Sequence, residues 1–182
     1  MMRVLLLGFL LLFSSTIALS QDKNESRKEK KEKKAKENQE KIEKLYALVS
    51  SRKFIVEATN VYGNSGDNYT VNPSTNYFLV DSSRTTIQLS FDGLIGWNGV
   101  GGVTSDGKID KFELSELKSG KPIMVNGMII ARAGGNIQFV MYVNSEGMTN
   151  IELSGNWANT INFQGRLLTL AESKVFKGIP LN

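Results

Sequence analysis

The chain has 182 residues, a formal net charge of +4, and neither cysteine nor histidine. The missing cysteines exclude disulfides and thiolate metal sites, and the missing histidines exclude Ser-His-Asp, Cys-His and histidine-based metal catalysis. The remaining residue types form no catalytic motif, so we expect a protein that is not an enzyme and has no metal and no cofactor.

The first 20 residues have the pattern of a secretory signal peptide. Arg3 supplies the positive start, residues 4–13 are apolar, and Ala18 and Ser20 form a small-x-small cleavage pattern before Gln21. The apolar stretch is shorter than the roughly 20 residues of a spanning helix, and no later segment comes close. We therefore expect an exported protein, periplasmic or extracellular, without a transmembrane segment in the mature chain.

Residues 21–44 are predicted to form a charged arm, either helical or disordered. They interleave lysine with glutamate and include repeated Glu-to-Lys pairs four residues apart, which support a solvated helix. Apolar residues at helical spacing begin only with Ile42, Leu45 and Val49. The pattern favours a spacer, and the alternative is a weak contact between the lysines and an anionic surface.

Residues 45–182 are predicted to form a single β-rich domain. Basic and acidic residues balance in this part of the chain, so the positive excess of the mature protein lies in the arm. A nucleic-acid groove would need clustered basic residues with aromatic residues among them, so we expect no nucleic-acid partner.

The apolar period changes from 3.6 to 2 after Ser51. Residues 85–91 place Ile87, Leu89 and Phe91 on one face, and residues 137–143 are apolar on nearly both faces, as in a central strand. The predicted strands are 53–59, 76–80, 85–91, 108–117, 123–132, 137–143, 149–154 and 162–170.

Short turns connect several of these strands. The sequences AGGN at 133–136 and NSEG at 144–147 predict hairpins, which makes residues 123–154 an antiparallel meander that continues through 155–160. About eight strands joined in this way predict a mainly β fold, either a barrel or a sandwich, with a helix ending near Ser50 at one end. A barrel of this size encloses one small ligand or is filled by side chains.

The glycine-rich stretch FDGLIGWNGVGGVTSDGK at 91–108 resembles two binding motifs only in part. Residues 102–108 fit the G-x-x-x-x-G-K of a phosphate-binding loop, but Ile109 follows them and the next residues alternate like a strand. Asp106, Asp110 and Glu113 fit the later positions of an EF-hand loop, whereas Gly102 and Thr104 occupy its first two ligand positions. We therefore predict a plain β-turn at 105–108 and no metal site.

Aromatic residues in or near predicted loops are the candidate contacts for a ligand or partner. They are Tyr69, Tyr77, Trp97 and Trp157. Loop aromatics are enriched at recognition sites, although they also cover the open ends of β cores. Trp97 lies among glycines, and we predict that it covers or lines an apolar pocket.

Three segments resemble one family of secreted Bacteroidota proteins. They are ALVSSRKFIVEATNV at 47–61, the run from Tyr77 to Val103, and NIQFVMYVNSEGMTNIELSGNWANTINFQGRL at 136–167. Together they resemble domain of unknown function 4251 over nearly all of 45–170. The shared features are structural in character: a helix leading into residues 52–58, a Phe-Gly loop, and a closing hairpin with Gly147 and residues 163–165.

Two departures from the family pattern stand out. This chain has Ser90 to Gly93 where Pro-Tyr-Phe-Gly is usual, and Ala158-Asn159 where Asn-Arg is usual. The resemblance implies a β-rich exported protein of a Gram-negative cell and assigns no activity.

Two classes of function remain. The first is a periplasmic or surface module that binds a small apolar or glycan ligand. The second is a structural or partner-binding accessory of the cell envelope that acts through an exposed edge or its charged arm.

Overall fold

The computed structural model of the chain describes residues 27–62, 68–90, 102–118, 120–132, 135–155 and 160–178. The predicted signal peptide, Trp97 and Trp157 lie outside these residues. The chain divides into two units, Met1–Glu40 and Lys41–Asn182.

A single helix, α1, is described before the strands and spans residues 27–50. In the first unit its residues 27–37 are all exposed. In the second unit Ile42 and Val49 are buried in the hydrophobic core, which explains why the apolar spacing starts at residue 42. No helix among the described residues is long and apolar enough to span a membrane.

Nine strands follow the helix in the described part of the chain. They are β1 Lys53–Tyr62, β2 Asn68–Thr70, β3 Tyr77–Asp81, β4 Arg84–Leu89, β5 Val103–Leu114, β6 Ile123–Ala131, β7 Gly135–Val143, β8 Met148–Ser154 and β9 Ile161–Thr169. The eight predicted strands are confirmed with shifted bounds, most of all at the start of β5. The additional strand, β2, has three residues, too few to show a period of two.

The strands close into an antiparallel barrel. Each strand from β3 to β8 pairs with the next, and β1 pairs with both β3 and β9, which makes a closed ring of eight strands. The extra strand β2 pairs with the last three residues of β1. Between the two predicted architectures, the structure therefore selects the barrel.

The predicted β-turn at 105–108 is wrong. Ser105 and Lys108 lie within β5 and pair with Ile87 and Arg84 of β4. Gly107 is required there because a Cβ atom would come within 2.6 Å of the Ile129 side chain and 2.9 Å of the Ile130 carbonyl oxygen. The glycine therefore permits a close approach of two strands, and the chain does not turn at it.

Side chains fill the interior of the barrel in the part that the structure describes. The rings of Phe78 and Phe139 lie 5.3 Å apart, and Phe139 occupies the space that a side chain at Gly127 would need. Further inward-pointing side chains with at most 1% of their surface exposed are Phe54, Ile123, Ile129, Ile137, Met141, Ile151, Leu153 and Phe163. A water-sized space beside them would leave measurable exposure, so this interior is packed.

Residues 41–50 of α1 pack at one end of the barrel, beside the turn between β7 and β8. Leu45 lies 3.5 Å from the position of a Cβ atom on Gly147, and Lys41 Nζ lies 3.7 Å from Glu146 Oε1. Gly147 has a φ of 78°, which glycine adopts without strain. As predicted, the helix ends at residue 50. Its contacts with the turn between β7 and β8 place it over one end of the core.

Candidate functional site

Two of the four predicted site residues fall outside the described residues. Trp97 belongs to the connection between β4 and β5, and Trp157 to the connection between β8 and β9. Because successive strands of the barrel are antiparallel, both connections leave from the end opposite α1. The hypothesis that Trp97 covers a pocket stays a prediction.

The other two, Tyr69 and Tyr77, lie on opposite faces of the sheet. Tyr77 pairs with Gln88 on the outside of the barrel, yet only 1% of its surface is exposed. Tyr69 lies opposite Val61, whose side chain points inward, and 37% of its surface is exposed. The structure therefore does not bring these two residues together in one site.

A row of uncharged polar side chains crosses the outside of four adjacent strands. Tyr142 of β7 pairs with Asn150 of β8, Asn150 with Gln164 of β9, and Gln164 with Asn60 of β1. Their neighbours in sequence point into the core, so these four side chains point outward. We call this surface the open face.

The open face presents one aromatic ring and three amides to the solvent. Tyr142 is 43% exposed, Asn150 is exposed, and Gln164 and Asn60 are half-buried. Gln164 Nε2 donates to Asn150 Oδ1 at 3.2 Å, which orients both amides. Charged side chains stand in the adjacent rows, with Glu152 on one side and Arg166 on the other.

The open face is not evident from the amino-acid sequence alone. Residues 137–143 are apolar on nearly both faces, although the alternation of Gln138 and Tyr142 with buried residues indicates an outer side. The sequence does not show the register of the strands. Tyr142 and Gln164 lie in one row only because both pair with Asn150, through the pairing of β7, β8 and β9.

A second outer surface is covered by the C-terminal segment 173–178. This covered face consists of the outward side chains of β1, β3, β4 and β5 that lie beneath the segment. Tyr77, Gln88 and Thr104 belong to it, and each has at most 1% of its surface exposed.

The Gln88 side chain is the centre of the covered face. Its Nε2 donates to the carbonyl oxygens of Thr75 at 3.1 Å and Phe176 at 2.7 Å. Its Oε1 accepts from the hydroxyls of Thr104 at 3.0 Å and Tyr77 at 3.4 Å, and from the Gly178 amide at 2.6 Å. A fully buried amide is thus satisfied at both ends, partly by the C-terminal segment.

An ion pair joins the segment to β5. Lys177 Nζ lies 2.8 Å from one carboxylate oxygen of Asp106 and 2.9 Å from the other, and Thr86 donates to Asp106 at 2.7 Å. Partial burial raises the pKa of Asp106, but the hydrogen bonds from Lys177 and Thr86 and the charges of Lys177 and Arg132 together hold it below its usual value. Burial, and secondly the charge of Asp106, raises the pKa of Tyr77 to about 12.

Two of the three carboxylates of the partial EF-hand pattern have separate lysine partners. Asp106 pairs with Lys177, and Glu113 pairs with Lys111 at 2.9 Å. No group of three or more acidic side chains that could hold a metal ion occurs among the described residues. Since β5 is a continuous strand here, these residues do not form a calcium loop.

Comparison with known proteins gives one family. The model of the domain of unknown function DUF4251 matches residues 36–167. The chain is similar to the crystal structure of a DUF4251 family protein from Bacteroides eggerthii DSM 20697, with 28% sequence identity and a TM-score of 0.59. The match covers 78% of this chain and 93% of that one. No curated protein matches the chain. The family match over most of the barrel and the helix before it shows that the chain belongs to the DUF4251 family.

Proposed function

We propose that the protein is an exported, non-catalytic module of the cell envelope that binds a neutral glycan on its open face. The observation that carries this proposal is the row of Tyr142, Asn150, Gln164 and Asn60, four uncharged polar side chains aligned across adjacent strands. The export part of the proposal rests on the signal-peptide pattern of residues 1–20.

The chemistry of the row matches a sugar polymer. Each amide carries both donors and acceptors, as the hydroxyl groups of a sugar do, and the Tyr142 ring offers an apolar face with a polar edge. Four strands spaced about 4.8 Å apart place these groups along a line of about 14 Å, so an extended polymer would contact several of them at once. A nucleic acid or another polyanion would favour a row of basic residues.

An apolar ligand inside the barrel has less support. The inward side chains of the described strands are packed against one another, with Phe139 filling the space over Gly127. A ligand of that kind would have to bind at the end opposite α1, where the connections that contain Trp97 and Trp157 leave the strands.

The test is affinity electrophoresis of the mature protein in gels that contain soluble neutral polysaccharides. We expect at least one polysaccharide to retard the protein, and Tyr142→Ala to weaken that retardation at least tenfold. Tyr69→Ala is the matched control, since it removes a tyrosine of similar exposure that is not part of the row. Equal binding by the Tyr142→Ala and Tyr69→Ala variants, or no retardation by any polysaccharide, would refute the proposal.

A further inference from the structure

The C-terminal segment is held on the covered face chiefly through its main chain. The Phe176 amide donates to the Ser74 carbonyl oxygen at 2.7 Å. The Gln88 side chain donates to the Phe176 carbonyl oxygen at 2.7 Å and accepts from the Gly178 amide at 2.6 Å. Main-chain contacts of this kind are available from any extended chain, so they do not depend on the side chains of the segment.

Two side-chain contacts add selectivity. Lys177 forms the ion pair with Asp106, and the Ser173 hydroxyl donates to Glu57 Oε1 at 2.7 Å. Gly178 is buried, and its main-chain amide donates to Gln88 Oε1. The Phe176 ring is 62% exposed, so the face does not select this side chain. The face therefore selects a lysine at the position of Lys177.

The barrel itself holds the receptor side chain in place. Gln88 bonds to the Thr75 carbonyl oxygen, to Thr104 and to Tyr77, all of which lie outside the C-terminal segment. Asp106 likewise keeps its bond from Thr86. The groups that contact the segment therefore stay oriented if the segment leaves, and such preorganisation lowers the cost of binding another chain.

We infer that the covered face is a binding site for an extended, lysine-bearing segment of another protein, and that residues 173–178 occupy this site in the free chain. Charge supports this occupant, because the face offers the carboxylates of Asp106 and Glu57 to whatever lies on it. The exchange replaces one set of main-chain hydrogen bonds with an equivalent set. The inference is independent of the glycan proposal, since the open face lies on β7, β8, β9 and the end of β1.

The experiment uses the full mature chain and a fluorescent synthetic peptide with the sequence of residues 171–178, AESKVFKG, followed by anisotropy. The chain's own segment competes with the peptide, so Lys177→Glu, which repels the segment from Asp106, should tighten peptide binding at least tenfold. Absence of binding to both wild type and Lys177→Glu at millimolar protein would overturn the inference.

Reversing the charge at Asp106 tests whether the peptide lysine pairs with this carboxylate. Asp106→Lys should abolish binding of the lysine peptide and should bind a peptide with glutamate at the position of Lys177. Asp110→Lys is the matched control, because Asp110 lies exposed on the same strand and the charge change is identical. Retained binding of the lysine peptide by Asp106→Lys would contradict the inference. If circular dichroism shows that Asp106→Lys is unfolded, the result with Lys177→Glu decides.

Discussion

The covered face and the open face are two regions of one barrel that use the same residue types in opposite ways. On the covered face, the Gln88 amide is fully buried and has five hydrogen-bond partners. On the open face, the amides of Asn150 and Gln164 bond to each other and retain contact with solvent. The difference arises from residues 173–178, which lie over one surface only.

This difference separates stability from binding. A buried amide with fixed partners stabilises the fold, because removing it leaves its partners without hydrogen bonds and without water. A solvated amide contributes little to stability and remains available to a ligand. We therefore expect substitutions on the covered face to change unfolding, and substitutions on the open face to change binding.

The largest loss of stability is expected from a substitution at Gly165, where β9 pairs with β1 and closes the barrel. A Cβ atom at this position would lie 2.2 Å from the Glu57 carbonyl oxygen and 2.9 Å from the Ala58 Cα atom. Gly165→Ala should therefore lower the free energy of unfolding by about 3 kcal/mol, measured by urea denaturation. Gly120→Ala is the control: its Cβ atom would meet no neighbour, and its φ of 70° alone costs about 1 kcal/mol. Equal losses of unfolding free energy in the two variants would show that β9 and β1 are not tightly packed at Gly165.

Gln88→Leu should give the next largest loss. The variant leaves the Gly178 amide and the carbonyl oxygens of Thr75 and Phe176 without their partner, and we expect the free energy of unfolding to fall by about 2 to 3 kcal/mol. Gln138→Leu on β7 removes an exposed amide and should change it by less than about 0.5 kcal/mol. A small effect at Gln88 would mean that the C-terminal segment leaves the face readily.

The ion pair between Lys177 and Asp106 on the covered face should make the stability of the fold depend on pH. The pKa of Asp106 in the folded state lies below the usual 3.8. The stabilisation that its carboxylate gives to the fold is therefore complete above the pKa of the unfolded state, and it is lost as the pH falls through the pKa of the folded state. Wild type should be more stable than Asp106→Asn at pH 7, and this gap should close as the pH falls below about 3.8. Urea denaturation of both proteins between pH 7 and pH 2.5 measures the gap.

The partner in that ion pair is tested by a double-mutant cycle. In a Lys177→Met background, Asp106→Asn should have a smaller effect at pH 7 than in wild type. If the stability difference between the protein with Asp106 and its Asp106→Asn variant depends neither on pH nor on Lys177, Asp106 stabilises the fold through the hydrogen bond from Thr86 and not through the ion pair.

A small effect on stability is expected at Tyr142. Its side chain is 43% exposed on the open face, so Tyr142→Ala should lower the free energy of unfolding by less than about 1 kcal/mol while it weakens glycan binding. Urea denaturation beside the electrophoresis assay separates the two. A loss of about 3 kcal/mol, typical of a core aromatic, would show that Tyr142 supports the fold.

Much of the fold could be predicted from local patterns. The alternation in residues 85–91 and 123–132 predicts strands that the structure confirms, and the turn at 144–147 predicts a hairpin that forms. The pattern failed at Gly107, because a glycine that permits a turn and a glycine that permits a close approach are identical in sequence. Contact with Ile129, which decides between them, is known only from the register of β5 and β6.

By itself the sequence determined the β-rich class, the charged start of the helix, the exclusion of histidine and cysteine chemistry, and the family resemblance. These properties depend on composition and on neighbours within a few residues. The tertiary structure decided the closure of the barrel, where Ala58 of β1 meets Gly165 of β9, and the burial of Gln88 beneath a segment near the C-terminus. Pairings between residues so distant in sequence leave no local period, so only the folded chain shows which amides are buried and which face the solvent.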